Sequence, residues 1–159
     1  MGIAVGLIFS LLNLNVVILG KTISLIPDFI GYFLIFRYFY NLKKNDKRNN
    51  TIKLLSISLS LYNFTMFIAN IFGFKVGIVD VIINILSVAI MFVLFYLITK
   101  YFTSELKTVI ICLLMNVCVL LSHLTSFSPN VIYLISTVCY MILVVLYIGR
   151  INKLERNGI

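Results

Sequence analysis

Charge is scarce in this chain. Of 159 residues only 11% are charged, with 5 Asp+Glu against 13 Lys+Arg, and there are one histidine, two prolines and no tryptophan. Soluble domains carry about 25% charged and about 45–50% apolar residues. Here 62% are hydrophobic and the mean hydropathy is +1.12. A water-soluble globule is excluded. Catalytic signatures are missing as well: no HExxH, no GxSxG, no P-loop and no GxGxxG. The DxxGxxAR and GxGD patterns of intramembrane aspartate chemistry are also absent, and the loops are too short for a nucleotide domain. The three cysteines, Cys112, Cys118 and Cys139, form no CxxC pair and no His/Cys cluster, so neither a structural disulfide nor a metal site is expected. In apolar runs a free cysteine behaves as a small buried hydrophobe. No cofactor is expected, and the chain does not read as an enzyme. The first residues lack a basic n-region and a cleavage site, and are expected to begin a retained helix.

What remains is apolar sequence, divided into six runs: 2–20, 23–42, 52–73, 77–98, 108–126 and 130–149. At roughly 20 residues per crossing, six membrane spans fit the length. Period-2 alternation is absent and open sheets do not survive in lipid, so the runs are read as helices. The expected fold is an all-α six-helix transmembrane bundle in a single domain, 1–159. With the N-terminus cytoplasmic, the inner ends carry Lys43, Lys44, Lys47, Arg48, Lys53, Lys100, Lys107, Arg150, Lys153 and Arg156. The outer ends carry only Lys21 and Lys75. Lysine and arginine gather on the cytoplasmic side, which places both termini inside the cell membrane. The basic inner face would attract anionic lipid and not nucleic acid; setting the topology is explanation enough for it.

A repeat runs through the even-numbered helices. Pro27-Asp28-Phe29-Ile30, Val79-Asp80-Val81-Ile82 and Pro129-Asn130-Val131-Ile132 share one pattern. Three helical hairpins, 1–50, 51–103 and 104–159, would account for the chain. Proline and Asp/Asn are also ordinary helix starters, stabilised by the helix dipole, and this explains part of the match.

The segment Ile23-Ser24-Leu25-Ile26-Pro27-Asp28-Phe29-Ile30-Gly31-Tyr32-Phe33-Leu34-Ile35 resembles an LPDFIGYILI stretch of uncharacterised small multi-pass membrane proteins of Gram-positive bacteria, with Ile26 where Leu is usual. The resemblance covers roughly 30 residues and implies location, not activity. In layout alone, six helices with both ends inside, the chain resembles the substrate-binding subunits of energy-coupling-factor vitamin transporters, which are richer in Gly and Ala and longer.

Polar residues recur at helical spacing on every run: Gly2, Gly6 and Ser10; Ser56, Ser60, Asn63 and Asn70; Asp80, Asn84 and Ser87; Cys112, Asn116 and His123; Asn130, Tyr133, Thr137 and Tyr140. Lipid exposure would be costly for them, so these stripes should face the bundle interior. Interhelical hydrogen bonds are a sufficient reason for the Ser and Asn stripes. The small-residue face Gly2/Gly6/Ser10 suits close helix packing, against a second copy or a partner membrane protein.

Ionisable groups within a membrane are expensive and mark function. Asp28, Tyr32, Asn70, Asp80, Asn84, His123 and Asn130 are read as an outward-facing polar pocket for a solute or cation, with the aspartates as ligands or proton carriers and His123 as a titrating neighbour. The structural alternative is that each aspartate serves its helix dipole and pairs with Lys21 or Lys75. Arg37, close to the inner interface, either meets a lipid phosphate or snorkels there. The leading expectation is a small transport or solute-binding membrane protein. A non-catalytic partner (immunity, assembly or regulatory factor) is second, and an intramembrane enzyme third.

Overall fold

The apolar run at 2–20 does not stay helical. Helix α1 (Ile3–Leu11) gives way to two short strands, β1 (Asn15–Ile18) and β2 (Lys21–Ser24), before α2 (Asp28–Asn41) begins. Four longer helices follow: α3 (Lys47–Phe72), α4 (Gly77–Phe102), α5 (Leu106–Thr125) and α6 (Val131–Arg156). The computed structural model describes residues 2–11, 15–18, 21–24, 27–42, 46–72, 77–103, 105–125 and 131–156. Side chains are described for these except at 15–18, 21–24, 77–82, 84, 119–125 and 131–134.

The strands pair antiparallel, with Asn15 opposite Ser24 and Ile18 opposite Lys21. Val16, Val17, Ile18, Thr22 and Ile23 are β-branched, stiff at χ1 and better fitted to a pleated surface than to a helix. In four-residue strands no alternation is long enough to read, so the apolar run looks helical throughout. The consequence is a hairpin whose helical parts are short. At 1.5 Å per residue α1 is about 14 Å long and α2 about 21 Å, against about 30 Å of hydrocarbon.

Helix starts follow local rules. Asp46 caps α3, its Oδ1 accepting the Arg48 N–H at 2.8 Å and its carbonyl the Asn50 N–H at 3.0 Å. Thr103 Oγ1 accepts the Glu105 N–H at 3.0 Å, and the Glu105 carbonyl receives the N–H groups of Thr108 and Val109. Pro27 precedes α2 at φ −64° and ψ 125° without a side-chain cap, and Asp28 supplies the negative charge of the first turn.

Among the described residues three helices are long and apolar enough to cross a membrane: Lys47–Phe72, Ile85–Phe102 and Ile135–Arg156; Leu106–Cys118 is a shorter apolar stretch. Large apolar side chains such as Leu54, Ile85, Leu113, Ile142 and Val145 are exposed, as helices facing lipid require. The protein is a helical, membrane-associated chain. It divides into two units, Met1–Leu94 and Phe95–Ile159.

In the first unit α1 packs on α2 and α2 on α3. The α1–α2 contact is backbone against backbone. A Cβ on Gly31 would meet the Ser10 nitrogen and lie 2.6 Å from the Phe9 carbonyl carbon and Ser10 Cα; one on Gly6 would lie 3.0 Å from the Ile35 nitrogen. Gly6 and Ser10 are therefore taken up inside the chain, and of the small-residue face expected to meet a partner only Gly2 is exposed. Matching Gly6 to Ile35 and Ser10 to Gly31 makes the two helices antiparallel. In the second unit α5 packs on α6, around buried Phe95, Ile98, Met115, Val144, Tyr147 and Ile151.

Candidate functional site

Helix α2 buries one stripe: Gly31, Tyr32, Ile35 and Phe39. Asp28, one turn before Gly31 and Tyr32, opens that stripe at the helix N-terminus. It is half-buried, and its Oδ1 is fully enclosed with no hydrogen-bond partner among the described residues. Tyr32 is 4% exposed. The last turn of α1 lies beside this first turn of α2, because Gly31 meets Phe9 and Ser10. Two helix ends of opposite polarity thus meet: the positive N-terminus of α2 and the negative C-terminus of α1. Asp28 stands in the first turn of α2 at this end.

The depth of this arrangement follows from α3. Ser60 Oγ donates to the Phe29 carbonyl at 2.9 Å, and the Phe29 ring meets those of Phe64 and Phe67, with centroids 5.1 and 5.8 Å away. Helix α3 carries no charge over residues 54–72, a stretch about 28 Å long. Phe29 contacts its middle. Asp28, expected near the outer end of a full-length second helix, instead lies about 12 Å short of the α3 terminus at Phe72. The shortened α2 is the reason.

The other expected residues are distributed as follows. Asn70 is exposed on α3, three residues beyond Phe67, and Arg37 is exposed on α2, away from the buried stripe. Asp80 and Asn84 are one turn apart on α4, and His123 is on α5. The side chains of these three, and the whole of Asn130, lie outside the described residues. Their convergence with Asp28 and Tyr32 remains an expectation from sequence.

Several polar side chains expected inside the bundle satisfy themselves on their own helix. Ser56 Oγ donates to Ile52 O at 2.7 Å and Asn63 Nδ2 to Leu59 O at 2.8 Å, and the exposed Thr65, outside that expectation, does the same with Leu61 O at 2.9 Å. These are back-bonds to residue i−4 and need no solute. Asp28, in the same unit, keeps an enclosed oxygen that asks for a partner.

A second polar cluster escaped sequence reasoning. Thr99 Oγ1 donates to Phe95 O at 2.8 Å and is 3.0 Å from the Tyr147 hydroxyl, which also reaches Phe95 O at 3.2 Å. Cys112 and Asn116 belong to the polar stripe expected on α5; Thr99 and Tyr147 belong to none of the expected stripes. The available signal was position: each is a hydroxyl within an apolar helix close to a basic residue, Thr99 next to Lys100 and Tyr147 one turn before Arg150.

Compared with known protein families, curated proteins and solved structures, the chain matches none; the site must be read from its own chemistry.

Proposed function

We propose that this protein is a small multi-pass membrane protein that binds and moves a solute or ion, and that Asp28 holds a cation at mid-depth in the membrane. One observation carries the reading: an enclosed carboxylate oxygen without a partner, at a helix break opposite the middle of an uncharged helix. Discontinuous helices whose ends point at a site near the membrane midplane are a recurrent transporter device. The electrostatics select the sign. The C-terminal carbonyls of α1 and the carboxylate of Asp28 are both negative, and among the described residues the N-terminus of α2 alone opposes them. A cation or a proton restores the balance, and an anion worsens it. Tyr32, on the same face, closes the site from within. Asp80, with Asn84 and Ser87 continuing its face, is the second carboxylate of the path, and six spans with both termini cytoplasmic form its frame.

The test is flux. Purified protein in vesicles of zwitterionic and anionic lipid is expected to take up radiolabelled sodium or rubidium faster than empty vesicles. Asp28→Asn should lower that flux by about tenfold or more while leaving thermal unfolding in detergent nearly unchanged. Uptake should also fall as the pH drops, because protons compete for the same carboxylate. Flux no greater than in empty vesicles, or full flux in Asp28→Asn, would overturn the assignment. A second reading, a non-catalytic membrane partner, is favoured by the back-bonded α3 hydroxyls and the glycine contact of α1 with α2, and it takes over if no cation moves.

A further inference from the structure

In the second unit the buried face of α5 is a line of polar groups: Thr108, Cys112 and Asn116, at i, i+4 and i+8. Thr108 and Cys112 are 0% exposed and Asn116 is 7% exposed. The middle of the line is satisfied. Asn116 Nδ2 donates to Cys112 Sγ at 3.8 Å, the Thr99 hydroxyl stands near the Cys112 thiol, and Thr99 with Tyr147 serves Phe95 O. The two ends are not: Thr108 Oγ1 and Asn116 Oδ1 are enclosed with no hydrogen-bond partner among the described residues. Buried polar atoms are nearly always bonded, and where protein does not reach them a water does. Thr108 stands in the first turn of α5, next to Lys107 and three residues past Glu105, whose carboxylate pairs with Arg150 at 3.5 Å on the exposed basic end. From Thr108 to Asn116 the line runs about 12 Å inward.

We propose that this face of α5 is a water site, with one water at Thr108 and another at Asn116, and that together with Cys112, Thr99 and Tyr147 they make a hydrogen-bonded line leading inward from the basic end. Each water meets a group that asks for it. The Asn116 carbonyl accepts a water O–H, and the Thr108 hydroxyl either donates or accepts. All the protein members are neutral, so the line admits water without fixing a charge in a low-dielectric interior. It is independent of the Asp28 site, which belongs to the other unit.

The Cys112 thiol, between the two sites, is the reporter. Its S–H stretch is isolated in the infrared as the difference between the native protein and Cys112→Ala. It is seen by itself in a Cys118→Ala/Cys139→Ala chain. On transfer of the folded protein in vesicles to heavy water, the Cys112 band is expected to move to its S–D position within minutes. Thr108→Val, which removes the outer water's hydroxyl while keeping the side-chain volume, should slow that exchange severalfold. Asn116→Leu should shift the band by removing its donor. An S–H that survives for hours in the native protein would overturn the proposal. Exchange at the native rate in Thr108→Val would do the same, since water would then arrive by another route.

Discussion

The two units bury polarity in opposite ways. In Met1–Leu94 helices meet through the absence of side chains, at Gly6 and Gly31, and a carboxylate oxygen is left enclosed without a partner. In Phe95–Ile159 they meet through hydroxyls, a thiol and an amide, none of them charged. Lipid tails are as apolar as leucine, so helices in a membrane associate by close packing or by hydrogen bonds rather than by the hydrophobic effect. Each unit uses mainly one of these two means. A charged group without a partner is intelligible in the first unit as a site. In the second the same atoms would be an error, and neutral groups stand there instead.

The sharpest way to break this comparison is at Gly31. Gly31→Ala would place a methyl 2.6 Å from backbone atoms of Phe9 and Ser10, and backbone does not give way as the end of a side chain does. The helices must separate, at a cost of about 3 kcal/mol or more. Detergent-solubilised protein should unfold at clearly lower denaturant, or fail to accumulate. Native stability in Gly31→Ala would remove the claim that α1 and α2 touch through their backbones.

Tyr147→Phe tests the other side. It deletes the hydroxyl shared with Thr99 and Phe95 O while keeping the ring, which meets Phe95 edge-on with centroids 6.4 Å apart. The expected loss is about 1 kcal/mol, the net worth of one hydrogen bond, because Phe95 O keeps its bond from Thr99. Ser60→Ala removes the bond from α3 to Phe29 O and should cost about 0.6 kcal/mol, the average for such pairs between membrane helices. If Ser60→Ala costs more than Tyr147→Phe, hydrogen bonding holds the first unit and the contrast between the units collapses.

Composition made the membrane class legible, and the long helices α3, α4 and α6 follow from unbroken apolar runs. The strands between α1 and α2 were not legible. A bilayer-length apolar run has the same hydropathy whether it is one helix or a helix joined to a strand, and the β-branched cluster Val16-Val17-Ile18 is too short to show a period. That single break moves Asp28 from an expected place near the membrane surface to a level opposite the middle of α3. Asp28 and Tyr32 share a face of α2 because they are four residues apart on a helix, which is a local rule. Thr99 and Tyr147 come together across 48 residues of sequence, a pairing that no local pattern encodes.

The smallest effect is expected at Gly149, and it should have the opposite sign to that at Gly31. Gly149 lies inside α6, three residues before Asn152, and a Cβ built there meets nothing within 4 Å. Glycine within a helix costs up to about 1 kcal/mol relative to alanine, through backbone entropy in the unfolded chain. Part of that preference fades where apolar surroundings already enforce the helix. Gly149→Ala should therefore gain about 0.5 kcal/mol, read as a small rise in the unfolding midpoint in detergent, with the infrared band of Cys112 unmoved. The same substitution, glycine to alanine, then disrupts one unit and slightly strengthens the other. A loss of stability in Gly149→Ala would mean that this face of α6 is occupied in the folded protein, and that the second unit also depends on a close glycine contact.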